Sequence, residues 1–300
     1  MKKNLLLNIN KKEIYFKFLY RLFIFKPLFS YIIKNYSFVI NYHLVSDKYS
    51  NFEEKNDLIH PKDTFITQIN ILKKFLKYVN LKNQSLNLNH NYEGYFLITM
   101  DDGYIVDENL LKSTSITPII FINYESLKRG FNYAQYIYYT YGREYYNNSN
   151  VNIKKINFKF KKDLFLKEIN LISENFFIAD HGLFHFNYKY LNDKYIKKYS
   201  DIFKKKYKKY KNYLPFFSIP FGNYKFHYNN KTLVDLKKNY EIIFLNSNLF
   251  NNKNNYDRKI LNRFSLPKQI DNDDKFISYI NYLYIINFFK FKVNVIAKIF

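Results

Sequence analysis

The sequence contains no cysteine and no tryptophan, only two methionines, and only six glycines and six prolines. Without cysteine the chain forms no disulfide bond and offers no thiolate to a metal. Any transition metal must therefore be held by histidine and carboxylate side chains. Histidine is scarce as well, which makes the position of each one informative. The six histidines are His43, His60, His90, His181, His185 and His227.

Acidic residues are also in short supply. The chain carries 48 lysines and arginines against 25 aspartates and glutamates, which gives a formal net charge of +23. Such a charge can attract nucleic acid or an anionic membrane surface. However, the abundance of lysine, asparagine, isoleucine, tyrosine and phenylalanine is also what an AT-rich genome encodes, and no recognisable nucleic-acid-binding pattern occurs. We therefore expect no specific nucleic-acid partner.

Long uncharged apolar runs are missing too. The longest, from Phe276 to Phe289, falls short of the roughly 18 residues that a membrane-spanning helix needs. The N-terminal apolar run is interrupted by Lys11 and Lys12, with no cleavage site behind it, and is a poor signal peptide. Residues 14–34 mix aromatic and basic side chains, which is typical of a helix on a membrane surface or of one that closes the bottom of a barrel. The sequence predicts a cytoplasmic protein, peripheral at most on an anionic membrane.

The chain does contain short apolar stretches that alternate with helical patterns. The predicted strands are 37–43, 96–100, 117–122, 176–180, 216–220, 241–245 and 259–266. Apolar residues recur at helical spacing over 65–79, 108–112, 192–211 and 233–240. Seven strands that alternate with helices predict an α/β fold built as a parallel barrel.

The chain divides into a barrel and two flanking segments. We assign the barrel to residues 37–270, a basic-aromatic helical segment to 1–36 and an aromatic helix packed on or beside the barrel to 271–300. Residues 124–158 are rich in tyrosine and asparagine and resemble an insertion over one end of the barrel. No convincing linker separates these parts, so the sequence predicts one domain.

Two neighbouring carboxylates, Asp101 and Asp102, end the second predicted strand and are followed by Gly103. At a strand end the backbone turns, so both side chains can reach one site, where they suit a cation. Taken alone, this sequence is more often an ordinary turn. His181 and His185 change that balance, because they follow the fourth predicted strand and their spacing places both imidazoles on one face of a helical turn. Two histidines and one aspartate form a mixed metal site with open positions for water and substrate.

Three short motifs, in this order and at this spacing, resemble those of the polysaccharide deacetylase family of carbohydrate esterases. The family's Thr-Phe-Asp-Asp-Gly stands here as Thr99-Met100-Asp101-Asp102-Gly103. Its second motif, a histidine, a serine or threonine, two further residues and a histidine, stands as His181-Gly182-Leu183-Phe184-His185. Its third, Arg-x-Pro-Tyr/Phe-Gly, stands as Ser218-Ile219-Pro220-Phe221-Gly222. The strands that end in Tyr42-His43 and Asn262-Arg263-Phe264 also fit, and the resemblance covers roughly residues 38–267.

This resemblance implies a distorted (β/α)7 barrel with a divalent metal, most often zinc. The implied metal ligands are Asp102, His181 and His185, and Asp101 is the implied general base. The implied activity is that of a metal-dependent hydrolase of carbon–nitrogen bonds other than peptide bonds. It would remove the acetyl group from an N-acetylated sugar of a surface polysaccharide or its precursor, so the expected partner is a glycan.

The resemblance also implies how charge and protons are handled. The backbone N–H of Phe221 would help to hold the tetrahedral oxyanion, with Pro220 and Gly222 in the same oxyanion and substrate site. The family's general acid is usually a histidine late in the chain, but no histidine follows His227. His227 or His43 is therefore the candidate acid.

Two motif positions differ from the family pattern. Gly182 stands where the second motif has a hydroxyl residue, and Ser218 stands where the third motif has the arginine that orients the base. Two further hypotheses stay open beside the deacetylase. The first is a catalytically quiet barrel that binds glycan, and the second is a basic protein that binds a membrane or nucleic acid.

Overall fold

The computed structural model describes residues 23–49, 51–82, 92–124, 127, 165–167, 170–171, 173–183, 185–222, 224–252, 257 and 259–299. From residue 289 onward only the helical backbone is described. Two predictions fall largely on other residues: the first part of the basic-aromatic segment and nearly all of the insertion at 124–158 lie outside the described residues, as does His90.

Short strands and longer helices alternate along the described parts of the chain. The strands are β1 Phe38–Tyr42, β2 Leu44–Val45, β3 Ile59–His60, β4 Lys77–Tyr78, β5 Tyr95–Met100, β6 Ile119–Ile122, β7 Phe177–Asp180, β8 Tyr213–Ser218, β9 Ile242–Asn246 and β10 Ile260–Arg263. The helices are α1 Lys26–Asn35, α2 Asn51–Lys55, α3 Lys62–Phe75, α4 Glu108–Ser113, α5 Asp193–Tyr207, α6 Asn230–Lys237 and α7 Asp273–Ile299, with a 3₁₀ turn at Tyr188–Tyr190.

The main sheet is parallel throughout and curls into a nearly closed barrel. Its strand order is β1-β5-β6-β7-β8-β9-β10, with β4 added beside β5. The two ends of this order meet at Phe264, whose N–H donates to the Val39 carbonyl at 3.1 Å and whose carbonyl accepts from the Asn41 N–H at 2.9 Å. The predicted α/β barrel of seven strands, flanked by helices, is confirmed.

Alternation along the strands separates an inner from an outer face. The inner cluster contains Val39, Leu97, Phe216 and Leu261, and the outer side chains pack on helices. The residues two positions further along these strands fall on the same inner face, at the carboxyl end of the barrel. They are Asn41, Thr99, Ser218 and Arg263, all fully buried.

The flanking helices α1 and α7 pack on each other and on the barrel. Phe29 is buried with its ring centroid 5.8 Å from that of Phe276, and the Asn281 amide donates to the carbonyls of Phe23 and Phe25. The described part of the N-terminal segment thus packs at the amino end of the barrel, one of the two alternatives left open. The domain boundaries at 36 and 270 stay a prediction. Among the described helices, none combines the length and the apolar character that crossing a membrane requires.

Two helices differ from their predicted bounds for local reasons. Helix α3 spans 62–75 instead of 65–79, because Lys77 and Tyr78 leave the helix to pair with β5 as β4. Helix α6 spans 230–237 instead of 233–240, because the Asn229 side chain accepts from the Thr232 N–H and forms a capping box.

Candidate active site

The first motif makes a sharp turn directly after β5. Asp102 and Gly103 both have left-handed backbones, with φ of 72° and 70°. Aspartate tolerates this conformation and glycine adopts it without strain. Asp101 keeps the strand pairing, since its N–H donates to the Tyr42 carbonyl at 3.0 Å. The turn therefore separates the two neighbouring carboxylates: Asp101 stays inside the barrel, while Asp102 faces the histidines of the second motif.

Asp102, His181 and His185 form a fully buried cluster at the strand ends. The Asp102 Oδ1 atom lies 3.4 Å from His181 Nε2 and 3.1 Å from His185 Nε2. His181 Nδ1 lies 2.9 Å from the Ser218 carbonyl oxygen, which can only accept, so we assign the proton to Nδ1. In the neutral imidazole the lone pair of Nε2 then points at a carboxylate oxygen. A proton or a metal ion between these two atoms would remove the contact between acceptors, and two imidazole nitrogens with one carboxylate suit a divalent metal.

The charges in this cluster shift the pKa of each member. Burial alone would raise the pKa of Asp102, but hydrogen bonds with His181 and His185 bring it well below its usual range. Burial alone would lower the pKa of His181, but the charge of Asp101 and the hydrogen bond to Asp102 raise it overall. Burial dominates at His185, whose pKa is lowered. The carboxylate is therefore ionised and ready to bind a cation at neutral pH.

The two histidines do not lie on a helical turn, and that part of the prediction was wrong. The backbone is left-handed at Gly182 and His185, with φ of 83° and 54°. Asp180 Oδ1 accepts from the Gly182 N–H at 2.7 Å and bends the chain there. A β-carbon on Gly182 would lie 2.9 Å from the Tyr188 hydroxyl, so Tyr188 occupies the space where the family motif has a hydroxyl residue.

Arg263 binds Asp101 through two parallel hydrogen bonds. Its Nη1 donates to Oδ1 and its Nη2 to Oδ2, each at 2.8 Å. Asn41 and the Ser218 hydroxyl also donate to the carboxylate, at 3.1 and 3.2 Å. Burial would raise the pKa of Asp101, but the charges of Arg263, His181 and His43 and the Arg263 hydrogen bond together outweigh it, and the pKa falls to about 2. Asp101 is thus held rigidly in its ionised form.

Sequence reasoning assigned no role to Arg263, although a signal was present. It lies in an apolar strand, at an inner position by the alternation, and a cation there requires a buried counter-charge. Ser218 occupies the position of the family's arginine, and its hydroxyl accepts from Arg263 Nη2 at 2.6 Å. The guanidinium group therefore comes from β10 and reaches Asp101 past the small Ser218 side chain on β8.

The third motif forms a strained loop beside the cluster. Phe221 and Gly222 have φ of 62° and 63°, and a β-carbon on Gly222 would lie 2.5 Å from the Asn246 β-carbon. The Phe221 ring contacts the His185 ring at a centroid distance of 4.4 Å. Pro220 lies against Gly182, with its Cγ 3.4 Å from where a β-carbon there would stand. The loop thus places the Phe221 backbone next to the candidate metal ligands, and a left-handed aromatic residue is the kind of strain found at functional sites.

The two candidate acids occupy different surroundings. His43 Nε2 lies 3.8 Å from Asp102 Oδ2, and the His43 side chain is 23% exposed. His227 is buried, and its ring lies 5.1 Å from the Phe221 ring. The structure therefore brings His43 to Asp102 and His227 to the Phe221 loop.

Comparison with known proteins gives similar structures without similar sequences. No protein-family model and no curated protein matches the chain. The deacetylase PplD of Streptococcus pyogenes, solved in complex with acetate, superposes with a TM-score of 0.52 at 16% identity, covering 78% of this chain and 94% of PplD. A polysaccharide deacetylase from Bacillus cereus gives 0.54 at 12% identity, covering 81% and 68%. IcaB from Ammonifex degensii gives 0.53 at 13% identity, covering 81% and 97%.

The chain has the polysaccharide deacetylase fold. This confirms the fold implied by the three motifs. At sequence identities of 12–16% these similarities establish the fold but not the activity, so the chemistry must be derived from this chain's own residues.

Proposed function

We propose that this protein is a metal-dependent hydrolase that removes the acetyl group from an N-acetylated sugar of a surface polysaccharide or its precursor. One observation carries the proposal. The buried Asp102–His181–His185 cluster brings one carboxylate and two imidazole nitrogens within coordination reach of one another at the mouth of a deacetylase-fold barrel, directly beside a second carboxylate held by Arg263.

The proposed metal ligands are Asp102, His181 and His185. Two imidazoles and one carboxylate form a three-ligand set of the kind used by catalytic zinc, and the chain has no thiolate to offer instead. We propose zinc on this basis. When bound, such an ion lowers the pKa of a water molecule and polarises the acetyl carbonyl. The Ser218 carbonyl fixes the His181 tautomer and orients its ring toward that position.

Asp101 is proposed as the general base that accepts a proton from the attacking water. Its low pKa keeps it ionised near neutral pH, so it is available to accept a proton. Arg263, Asn41 and Ser218 orient the carboxylate and so reduce the reorganisation needed during the reaction.

The remaining roles concern the oxyanion and the leaving group. The N–H of Phe221 is proposed to stabilise the negative oxygen of the tetrahedral intermediate, on a loop held in shape by Pro220 and Gly222. Of the two candidate acids, we favour His43, since it lies beside Asp102 and is partly exposed toward the mouth. His227 is then assigned to supporting the Phe221 ring.

We further propose that the exposed side chains on and next to helix α1, namely Phe25, Lys26, Tyr31 and Lys34, contact an anionic membrane surface. We call them the α1 face. Phe25 and Tyr31 are 58% and 50% exposed, and Lys26 and Lys34 lie exposed on the same short helix. Aromatic and basic side chains together suit the headgroup region of an anionic bilayer. Helix α1 ends just before the start of β1, so this face lies at the end of the barrel opposite the catalytic mouth.

The proposed function is tested by metal analysis combined with acetate release. Purified protein is reconstituted with zinc and other divalent ions, and its metal content is measured after dialysis. The same sample is then assayed for acetate release from N-acetylated glycans and nucleotide sugars. We expect one metal per chain and acetate release from at least one glycan. Protein that holds no metal but binds glycan would instead be the quiet barrel.

A further inference from the structure

Three aromatic side chains are exposed on two loops at the catalytic end of the barrel. Tyr190 is 63% exposed on the 3₁₀ turn that follows His185. Tyr224 and Phe226 are 44% and 53% exposed on the loop that follows Gly222. Neither the proposed metal ligands nor the oxyanion loop requires these side chains to face solvent. We call Tyr190, Tyr224 and Phe226 the aromatic rim.

The two loops of the aromatic rim are held together by backbone contacts. The Asn187 amide donates to the Phe226 carbonyl at 2.9 Å, and the Lys189 N–H donates to the His227 carbonyl at 2.8 Å. The Tyr224 hydroxyl donates to the Asn230 side chain at 3.1 Å, at the start of α6. Because these hydrogen bonds fix the backbone of both loops, little backbone conformational entropy is lost when the exposed rings bind a ligand.

The aromatic rim is continuous with the candidate active site. Phe226 precedes His227, whose ring packs on Phe221, and the Phe221 ring in turn packs on His185. Asn187, which holds the Phe226 carbonyl, is only two residues from His185. The rim is therefore connected to the proposed reacting centre through the packed rings of His227 and Phe221.

We propose that the aromatic rim binds a neighbouring sugar unit of the glycan chain that carries the scissile acetamide. The apolar face of a pyranose ring stacks on tyrosine and phenylalanine, and the two tyrosine hydroxyls supply polar contacts at its edge. This proposal rests on the proposed function, since it names how that site selects a polymer over a single sugar. Continuity with the site favours a glycan over a membrane or a second copy of the chain.

The charges on the rim select the kind of sugar unit. Lys189 Nζ lies 5.6 Å from the Tyr190 ring centroid, and Lys225 is exposed between Tyr224 and Phe226. These ammonium groups repel a deacetylated unit, which carries a positive amine, and tolerate an N-acetylated one. The rim therefore favours a unit that still carries its acetyl group, and we expect the enzyme to slow as its polymer substrate becomes deacetylated.

The test compares Phe226→Ser and Tyr190→Ser with a matched control, Phe25→Ser, which removes an equally exposed phenylalanine at the opposite end of the barrel. The probes are N-acetylglucosamine and its β-linked oligomers of increasing length, with KM and kcat measured from acetate release. For the wild type we expect KM to fall with oligomer length. Each rim variant should raise KM for the longer oligomers by about 3- to 10-fold with kcat unchanged, a range set by the usual strength of aromatic contacts. The control should match the wild type.

Each alternative outcome has a separate signature. If the wild type is active but its KM does not change with oligomer length, the rim does not bind a neighbouring sugar unit. The same conclusion follows if Phe226→Ser has the same KM as the wild type on every oligomer. Neither result contradicts the proposed deacetylase function. A wild type that neither binds nor deacetylates any N-acetylated glycan overturns both. Concentration-dependent dimerisation that Phe226→Ser abolishes, seen by sedimentation, assigns the rim to a second copy instead.

Discussion

Arg263 at the end of β10 reaches both carboxylate oxygens of Asp101 at the end of β5, so the first motif and the last strand of the barrel meet in one buried ion pair. Arg263 is fully buried and lies 5.3 Å from the centroid of the Phe121 ring. It also donates to Asn41 and Thr99, at 3.0 and 3.2 Å. The pair therefore links the interior of the barrel to the proposed chemistry.

Replacing Arg263 with methionine should alter both stability and pH dependence. The loss leaves a buried carboxylate without its counter-charge, which costs about 3–5 kcal/mol of unfolding free energy. Since the charge and hydrogen bond of Arg263 are among the causes that lower the pKa of Asp101, that pKa should rise in the variant, and the acidic limb of the kcat/KM profile should move to higher pH. Urea unfolding and a pH–rate profile measure the two effects. An unchanged acidic limb would show that Asp101 is not the base.

A reciprocal exchange tests whether stability and activity require only a guanidinium group beside Asp101, or also require that it comes from strand β10. The double variant Ser218→Arg, Arg263→Ser returns the arginine to the position that the family motif gives it. We expect it to recover part of the stability and activity that Arg263→Ser alone loses. Recovery no better than the single variant would mean that the β10 position itself is required.

Asp101 and Asp102 should be separable by substitution although they are neighbours. Asp102→Ala removes a proposed metal ligand and should lose metal and activity together. Asp101→Asn should keep the metal while turnover falls by roughly 10²–10⁴-fold, the usual effect of losing a general base. It should also lose stability, because the buried Arg263 charge is left uncompensated. Metal content, acetate release and urea unfolding are measured on both variants. Equal metal loss in the two would contradict the assignment.

The two candidate acids are distinguished by the leaving group. His43→Gln should lower turnover of an N-acetyl sugar by about 100-fold or more, because an amine leaves only after it is protonated. The same variant should keep most of its activity on 4-nitrophenyl acetate, whose leaving group needs no proton. His227→Gln serves as the control and should affect both substrates alike. The opposite pattern would make His227 the acid.

His60 should make the fold sensitive to mild acid. It is buried, its Nε2 lies 2.9 Å from the Leu266 carbonyl oxygen, and burial lowers its pKa to about 4. Between pH 4 and about 6.5 His60 binds a proton in the unfolded chain but not in the folded chain. The free energy of unfolding is therefore highest above pH 6.5 and falls as the pH drops toward 4. The loss should approach about 3 kcal/mol. Urea unfolding at pH 7 and 4.5 measures it, and a His60→Gln variant with the same pH slope as the wild type would rule His60 out.

Membrane binding should depend on the α1 face. The protein is floated with phosphatidylserine vesicles and with phosphatidylcholine vesicles, at low and high salt. We expect flotation with the anionic vesicles at low salt, weakened by Phe25→Ser, which removes a 58% exposed ring, and unchanged by Phe226→Ser, which removes a 53% exposed ring at the other end. A wild type that stays wholly in the lower fraction would refute the proposal.

Periodicity, strand-end chemistry and the three motifs together were enough to predict the barrel and the Asp102–His181–His185 cluster, because these signals are local in the sequence. The pattern that predicts the site spans only a few residues in each case: an apolar strand that ends in Asp101 and Asp102, and the closely spaced histidines His181 and His185. The Arg263–Asp101 pair carries no such signal, since its members are separated by 162 residues and meet only when the sheet closes. The non-helical path between the two histidines was also not predictable, because Tyr188 and Asp180 impose it from outside the motif.

The closed sheet makes the carboxyl ends of its strands interchangeable as sources of a catalytic group. In this chain the arginine stands on β10 and a serine stands on β8, where the third motif of the family it resembles has its arginine, yet the guanidinium group still reaches Asp101. A linear pattern anchored on a residue's place in the chain would then pass over such a protein even when its interior is intact. Searches for distant relatives of this fold would do better to ask which charges converge on the axis than which strand carries them.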